Sequence, residues 1–196
     1  MKVTIKNIGK SYGDKVVLQG LNAAFTNEVP TVLMGENGRG KTTLLRLMLG
    51  LENPTSGQML IEGVQGVAAV FQENRLCEEF TAQQNLQMVC PKNTETAILE
   101  EHLAGVGLAK QDMQKPVALL SGGQKRRVAI ARCLAANADA VFMDEPFVGI
   151  DAKTKPLVMQ YVSRQLKSKL FVVTTHSTKE AEALGGNVVR IEELQG

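Results

Sequence analysis

Residues 35–42 read Gly35-Glu36-Asn37-Gly38-Arg39-Gly40-Lys41-Thr42. The stretch fits the pattern Gly-x4-Gly-Lys-[Ser/Thr], in which backbone N–H groups surround phosphate groups, the lysine reaches the β and γ oxygens, and the hydroxyl meets Mg²⁺. The apolar run 31–34 before it predicts a buried strand, and 43–49 after it predicts a helix that ends at Gly50. Because strand, loop and helix occur in the order that the pattern requires, the sequence predicts a phosphate-binding loop.

The composition indicates one compact domain and argues against several classes of protein. The chain has 196 residues and a net charge of only +2, so we expect no nucleic-acid partner. Its three cysteines, Cys77, Cys90 and Cys133, lack metal-type spacing and are odd in number, which favours free thiols in a reducing compartment. Residues 1–6 alternate polar and apolar instead of forming a signal-peptide core, and no apolar run approaches ~18–20 residues. The sequence therefore predicts a cytosolic chain that does not itself cross a membrane.

Four short apolar runs predict the strands of a parallel sheet. They are 31–34, 67–71, 140–143 and 170–174. Nearly continuous apolar runs are typical of strands that are buried on both faces. Polar residues follow each run: the loop 35–42, then Gln72, Asp144-Glu145 and Thr175-His176. Since ligands of open α/β sheets bind beyond the carboxyl ends of the strands, we expect these four segments to lie along one edge of the sheet.

The rest of the chain predicts an antiparallel start and a helical insertion. Residues 3–8 and 16–25 predict a strand pair around the turn Gly13-Asp14, and 187–191 predict one more short strand. The short stretch between Gly57 and Val67 indicates a trimmed antiparallel subdomain. Residues 73–137 predict only helices. We therefore expect a single domain over 1–196, with a sheet core at about 1–72 and 138–196 and an inserted helical subdomain at about 73–137.

A second glycine-containing motif, Leu120-Ser121-Gly122-Gly123-Gln124, precedes a predicted helix. A serine and two glycines at a helix N-terminus offer free N–H groups to an anion, although an N-cap with a flexible entry explains the motif alone equally well. The motif resembles the signature of the ATP-binding-cassette (ABC) ATPases. Together with 35–42 and Asp144-Glu145, it extends the resemblance of the chain to this family over about 12–176. The resemblance implies an α/β fold: a P-loop NTPase (RecA-like) parallel sheet core with an N-terminal antiparallel β subdomain and an inserted α-helical subdomain. It also implies hydrolysis of ATP with Mg²⁺.

The same resemblance implies a role for each matching residue. Thr42, Gln72 and Asp144 correspond to the Mg²⁺ site. Glu145 corresponds to the general base, His176 to the γ-phosphate contact, and Gln72 also to a contact with the attacking water. The corresponding nucleotide-binding residues are Tyr12, Gly35, Glu36, Asn37, Gly38, Arg39, Gly40, Lys41, Thr42, Thr43, Ser121, Gly122, Gly123, Gln124 and Asp151.

Structural explanations of these residues stay open at this point. Asp144-Glu145 and Gln72 are equally typical of polar residues at strand ends. A lone histidine such as His176 is often structural, and Tyr12 could be a packed residue of the hairpin. The resemblance further implies that two copies pack head to tail, as a homodimer or as a heterodimer with another ABC subunit. Residues 121–124 of one copy then close over the phosphates of the other, and Asp151 crosses the same interface.

The resemblance also implies a transmembrane permease partner and a cytoplasmic location, peripheral on the inner face of the cell membrane. The stretches 70–76 and Asp144-Glu145-Pro146-Phe147 look most like bacterial importers of the nitrate, sulfonate and taurine group. Val148-Gly149-Ile150-Asp151 departs from the more usual Gly-Ala-Leu-Asp. An exporter ATPase and an ABC ATPase of a macromolecular assembly remain alternatives. The transported solute is set by other subunits.

Overall fold

The computed structural model describes residues 1–195, which divide into two compact units. The first unit contains 1–67, 139–145 and the described residues from 168 onward. The second contains 68–138 and 146–167. The second unit thus includes the expected helical insertion, 73–137, together with a later segment that the sequence analysis assigned to the sheet core. The expected division of a single domain stays a prediction.

All four apolar runs form strands, as predicted, and further strands and helices lie between and beyond them in the chain. The strands are β1 (Lys2–Tyr12), β2 (Lys15–Thr26), β3 (Thr31–Met34), β4 (Ser56–Glu62), β5 (Val67–Val70), β6 (Ala140–Asp144), β7 (Leu170–Thr174) and β8 (Asn187–Arg190). The α-helices are α1 (Lys41–Met48), α2 (Ala82–Gln87), α3 (Thr96–Gly105), α4 (Lys110–Met113), α5 (Gly122–Ala135), α6 (Lys155–Gln165) and α7 (Thr178–Leu184). Short 3-10 helices lie at Val117–Leu119 and Ile191–Leu194. Among the described residues, no helix has the length and apolar character needed to span a bilayer.

The amino-terminal sheet has three antiparallel strands in the order β2-β1-β4. The predicted strand pair is confirmed as β1 and β2, around the turn Gly13-Asp14. The prediction of a trimmed subdomain missed β4, which pairs with β1 along Lys2 to Gly9. Only one of its seven residues is even partly buried, so β4 carries too weak a pattern of apolar and polar residues to be recognised.

A parallel sheet forms the centre of the first unit, where the strand order is β6-β7-β3-β8. Every residue of β3, β6 and β7 is buried, as the continuous apolar runs predict. The register pairs Asp144 with Thr174 and Leu33 with Thr174, so the carboxyl ends of these three strands are level. Polar residues that follow the strands therefore begin at the same edge of the sheet.

Helix α1 fixes the loop 35–42 to this sheet. Its buried residues Leu44, Leu45, Leu47 and Met48 recur at helical spacing and join a core that includes Phe25, Phe142 and Val172. Burial of one such side chain contributes roughly 1.5–3 kcal/mol, before the entropy cost of ordering it. The helix that follows the loop is thus anchored by its apolar face, and its amino-terminal end stays at the sheet edge.

The second unit is a helical cluster that packs mainly around α5. Val128 and Ile130 of α5 are fully buried, as are Leu86 of α2 and Leu103 of α3. Helices α3 and α6 approach closely at Gly105, since a Cβ atom there would lie 2.3 Å from a ring carbon of Tyr161. Only glycine allows this approach.

Replacement Gly105→Ala should therefore destabilise the protein by about 1–3 kcal/mol, because the ring of Tyr161 must move to accept the methyl group. Urea unfolding measures the change. Gly122→Ala is the matched control, since a Cβ atom at Gly122 meets no atom within 4 Å. Equal stability of the two variants would contradict the close contact.

Candidate active site

The loop 35–42 leaves the end of β3 and enters α1 at Gly40, which has a left-handed φ of 94°. A side chain at Gly40 would collide with Leu18, whose Cδ2 atom lies 2.4 Å from the position of a Cβ. Gly40 is the N-cap residue of α1 and gives the helix no side-chain hydrogen bond. The first N–H groups of a helix have no intrahelical partner, so those of Lys41, Thr42 and Thr43 can bind an anion at the positive end of the helix dipole.

Lys41 has its ammonium group at the mouth of the loop. The residue is only 6% exposed, and Nζ donates hydrogen bonds to the carbonyl oxygens of Gly35 (2.7 Å) and Glu36 (2.9 Å). The side chain therefore folds back over the backbone that carries it. A cation held in this position can neutralise phosphate charge without first being ordered.

The outer side of the loop is polar and open to solvent. Asn37 and Gly38 are exposed, and so are Glu36 and Arg39, which form an ion pair at 3.0 Å. An exposed pair of this kind adds little to stability. The backbone N–H of Glu36 donates to Glu192 Oε1 at 3.3 Å, so the segment after β8 contacts the start of the loop.

A chain of hydrogen bonds joins the loop to the carboxyl ends of β6 and β7. The hydroxyl of Thr42 donates to Asp144 Oδ2 at 2.6 Å, and the hydroxyl of Thr174 donates to Asp144 Oδ1 at 2.6 Å. Thr174 in turn accepts the backbone N–H of Glu145 at 2.9 Å. Asp144 is only 3% exposed and Thr174 is fully buried. Both carboxylate oxygens of Asp144 are therefore held in place.

Thr42 and Asp144 provide a suitable pair of ligands for Mg²⁺. This cation prefers oxygen ligands at about 2.0–2.1 Å, keeps several waters and binds through one or two carboxylates together with substrate phosphates. The hydroxyl and the carboxylate oxygen already lie 2.6 Å apart, close enough to share one ion once their hydrogen bond is exchanged. No cluster of three or more His, Cys, Asp or Glu side chains with metal-site geometry occurs in residues 1–195. The pair thus fits a Mg²⁺ ion that arrives with phosphate groups and water.

Glu145 and His176 lie next to each other at the same edge. His176 Nδ1 is 3.5 Å from Glu145 Oε2, and the two side chains are 62% and 18% exposed. Glu145 has a positive φ of 46°, a conformation that costs energy for a residue with a Cβ atom. Because of this backbone conformation, the side chain of Glu145 points away from Asp144 and toward His176.

The hydroxyl of Thr175 anchors the segment that carries His176. It donates to Glu180 Oε2 at 2.6 Å and accepts the backbone N–H of Ser177 at 3.1 Å. Ser177 then caps α7. The backbone around His176 is fixed on both sides, while the imidazole itself remains accessible to solvent.

Tyr12 ends β1 with 45% of its surface exposed. Its hydroxyl hydrogen-bonds Glu52, and this bond lowers the pKa of that carboxyl. Lys10 Nζ lies 4.9 Å from the ring centroid. The ring of Tyr12 is thus exposed while its hydroxyl is hydrogen-bonded, which is compatible with the predicted contact to the nucleotide and equally with a structural residue of the hairpin.

The signature residues lie in the second unit, at the start of α5. Ser121 is the N-cap: its Oγ accepts the N–H of Gln124 at 3.3 Å, while Gln124 Oε1 accepts the N–H of Ser121 at 2.8 Å. Gln124 Nε2 also donates to Asp112 at 2.8 Å. The structure therefore realises the N-cap that the sequence offered as an alternative. Since a serine hydroxyl both donates and accepts, its hydrogen remains available to an anion.

Two other predicted residues also lie in this unit. Asp151 is exposed, and the backbone N–H of Thr154, at 2.9 Å from Oδ1, holds the pKa of its carboxyl below the usual value. Its segment lies close to the signature, because a Cβ atom at Gly123 would be 2.8 Å from the carbonyl oxygen of Gly149. Gln72 follows β5 and exposes its side chain, while its carbonyl oxygen accepts a hydrogen bond from Arg126 at 3.2 Å.

Two buried residues in these networks were missed by the sequence analysis. Thr174 appeared only as the end of an apolar run, and its contact with Asp144 depends on the register of two parallel strands. Arg126 lies in the basic triplet Lys125-Arg126-Arg127, a pattern typical of a solvated helix face, yet it is only 4% exposed. Its position four residues before the apolar residue Ile130 on the same helix was the available signal.

Comparison with known proteins gives consistent matches. The family model for the ABC transporter domain matches residues 18–148. The chain is 36% identical to the aliphatic sulfonates import ATP-binding protein SsuB 3 of Rhodococcus jostii (strain RHA1), over 98% of this chain and 72% of that protein. It is 34% identical to the spermidine/putrescine import ATP-binding protein PotA of Lawsonia intracellularis (strain PHE/MN1-00), over 98% of this chain and 58% of that protein.

A solved structure supports the same relationship. The dimeric post-hydrolysis state of the ATP-binding cassette MJ0796, bound to ADP and Pi, superposes with a TM-score of 0.86 at 27% identity. The superposition covers 96% of this chain and 93% of that one. The P-loop NTPase fold expected from the sequence is thereby confirmed.

Thr174→Val should lower the free energy of unfolding by about 1–3 kcal/mol, because it removes a donor to buried Asp144 and leaves the N–H of Glu145 without its hydroxyl acceptor. Urea unfolding measures this loss. Thr31→Val is the control, since Thr31 is a buried threonine of the same sheet outside this chain of hydrogen bonds. An equal loss in the control would show that the effect is not specific to Asp144.

Proposed function

The chain belongs to the ABC transporter family and is an ATPase, and on this premise we propose that it is the ATP-hydrolysing subunit of a membrane transporter that imports a solute. The observation that supports import is that SsuB 3 and PotA, at 36% and 34% identity, are both import ATP-binding proteins. Their solutes differ in charge and size. The proposal therefore extends to the direction of transport and not to a particular solute.

In this proposal, the first unit binds the triphosphate of ATP. The ammonium group of Lys41 gives up one or both of its hydrogen bonds to the carbonyl oxygens of Gly35 and Glu36 and neutralises the β- and γ-phosphate oxygens. The N–H groups at the start of α1 hold the same phosphates. Thr42 and Asp144 hold Mg²⁺. When bound, Mg²⁺ neutralises charge on the β- and γ-phosphate oxygens. Tyr12 is proposed to stack on the base, which aromatic rings do for any base.

Hydrolysis needs a positioned water and a base. Glu145, directed away from Asp144 by its backbone conformation, is proposed to accept the proton of that water. General-base catalysis contributes about 10²- to 10⁴-fold, or roughly 3–5 kcal/mol of barrier. His176, 3.5 Å from Glu145, is proposed to contact the γ-phosphate, and Gln72 to contact Mg²⁺ and the water.

A second copy is proposed to complete the site. Ser121, whose hydroxyl hydrogen is free of the N-cap bond, would donate to the γ-phosphate held by the other copy. The N–H groups of Gly122 and Gly123 lie in the first turn of α5 and supply the positive helix end. The dimeric MJ0796 cassette supports a paired arrangement. The partner would be an identical chain or another ABC subunit, and Asp151 is proposed to lie at this interface.

ATP binding would then close the pair and hydrolysis would reopen it, which moves an attached permease. This role places the protein at the cytoplasmic face of the cell membrane, as a peripheral subunit of that permease. The proposal assigns the energy of transport to this chain and the selection of solute to other subunits.

The variant Glu145→Gln should bind ATP and accumulate as a dimer, because the amide keeps the shape of the site but cannot accept a proton. Size-exclusion chromatography with light scattering, with and without ATP and Mg²⁺, measures the dimer. Lys41→Ala in the same background should remain a monomer because it cannot hold the triphosphate.

The variant Ser121→Arg tests the contribution of the second copy. It should leave ATP binding by the monomer intact and prevent both dimerisation and hydrolysis. A Glu145→Gln protein that stays monomeric at saturating ATP, or a Ser121→Arg protein that still hydrolyses ATP, contradicts the head-to-tail arrangement.

Purification of the native complex tests the transport role itself. A tagged chain expressed at its natural level and extracted in mild detergent should retain a polytopic membrane protein and, for an importer, respond to a solute-binding protein added from outside. Recovery of a purely non-membrane assembly would overturn the transporter proposal, and export of solute by the reconstituted complex would overturn import.

A further inference from the structure

Arg126 is a buried cation two residues after the signature motif. It lies on α5 and is only 4% exposed. Burial of a guanidinium is costly unless its N–H groups are hydrogen-bonded, so the acceptors around it define what the residue does.

Four acceptors of Arg126 come from two segments that are distant in the chain. Nε donates to the carbonyl oxygen of Pro146 at 2.8 Å. Nη1 hydrogen-bonds the carbonyl oxygen of Phe71, the carbonyl oxygen of Gln72 at 3.2 Å and Asn74 Oδ1 at 3.4 Å. A single guanidinium on α5 thus hydrogen-bonds both the backbone of 71–72 and that of Pro146.

Each of these backbone positions is next to a residue proposed to act in hydrolysis. The carbonyl of Gln72 belongs to the residue whose exposed side chain is proposed to meet Mg²⁺ and water. Pro146 directly follows Glu145, the proposed general base. Arg126 itself begins the second turn of the helix that Ser121 caps. Three motifs that are separate in sequence therefore share one hydrogen-bonding group.

Two other polar side chains, half-buried Arg132 and buried Asn85, hold the rest of the segment after Gln72. Arg132 Nη2 donates to the carbonyl oxygen of Asn74 at 3.3 Å. Asn85, which is fully buried, donates to the carbonyl oxygens of Cys77 and Thr81, each at 3.0 Å. These hydrogen bonds hold the backbone of 72–81 at several points, so the segment cannot shift freely along α5. Arg126 holds the first of these points, at Gln72.

We propose that Arg126 is a positioning residue for hydrolysis, which holds the backbone at Gln72 and Pro146 in a fixed relation to the signature helix. This inference rests on the roles proposed above for Gln72 and Glu145. The rigid fork of the guanidinium matters, because an ammonium on a flexible chain has the charge but cannot present Nε and Nη1 to both segments at once. In this proposal Arg126 acts through the residues that it orients.

The test compares Arg126→Lys with wild type for ATP affinity, kcat, Mg²⁺ requirement and melting temperature. We expect kcat to fall about 10- to 100-fold, since a displacement of about 1 Å in a catalytic group has costs of this size. The Kd for ATP should change by less than about twofold, because the interaction serves the transition state and not ground-state binding.

Arg127→Lys is the matched control for a loss of stability. Arg127 is the next residue on α5 and is half-buried, but its Nη1 hydrogen-bonds the carbonyl oxygens of Val106 (3.2 Å) and Gly107, just after α3. A similar fall in melting temperature with a much smaller fall in kcat is the expected result. Equal losses of kcat in the two variants would mean that Arg126 is merely structural, and would overturn the inference.

A double-mutant cycle with Gln72→Ala gives a readout that a structural role would not move. If Arg126 acts through Gln72, then Arg126→Lys should lower kcat much less in the Gln72→Ala background than in wild type. Additive losses in the cycle overturn the inference.

Should Arg126→Lys fail to fold, Asn74→Ala replaces it in the same cycle. It is expected to lower kcat about 2- to 5-fold, and an unchanged kcat counts against the proposal.

The single variant Gln72→Ala separates this inference from the proposed function on which it rests. An unchanged kcat in Gln72→Ala would remove the proposed role of Gln72 whatever Arg126 does. A reduced kcat in Gln72→Ala, together with an unaffected Arg126→Lys, would remove the Arg126 inference alone.

Discussion

The carboxylate of Asp144, held between two hydroxyl groups, is the interaction on which the candidate site depends. Thr42 brings the phosphate-binding loop to one oxygen, and Thr174 brings the neighbouring strand to the other, each at 2.6 Å. Because Thr174 also accepts the N–H of Glu145, one buried hydroxyl fixes the direction in which the chain leaves β6. The level ends of β3, β6 and β7 make this arrangement possible. Without that register, the loop, the proposed metal ligand and the proposed base would have no common point.

The structure also shows which hydrogen bonds the candidate site residues of each unit make within the chain. Lys41 bonds to its own loop, Thr42 bonds to Asp144, and Ser121 caps its own helix. Each of these bonds satisfies a polar group that would otherwise be costly to bury or order. In the proposed function, binding of ATP and Mg²⁺ would exchange some of these bonds for stronger charge-assisted ones, so little new ordering would be required. The net gain in binding is smaller than the sum of the new contacts, but the geometry is set in advance.

Particular elements show why some of the fold could be predicted and some could not. Strands β3, β6 and β7 are entirely buried, so their apolar runs are direct evidence of their position. Strand β4 is exposed along nearly its whole length and could be found only through its pairing with β1. The two-unit division likewise depends on packing, since α6 joins the helical cluster although it follows β6 in the chain. Periodicity reports burial of a segment but does not report which neighbour buries it.

The sequence by itself determined the residue types of the candidate site: glycines in a loop of the kind that wraps phosphate, a lysine and a threonine at its end, and acidic residues after a buried strand. These follow from local rules, because each residue type suits its position through its own conformation and charge. The tertiary structure alone decided which groups meet. Thr174 contacts Asp144 because the register of two parallel strands pairs them. Arg126 hydrogen-bonds the backbone at Gln72 and Pro146, although its basic neighbours in the sequence are typical of a solvated helix face. Such contacts link residues far apart in the chain, and no local pattern encodes a partner that only packing brings near.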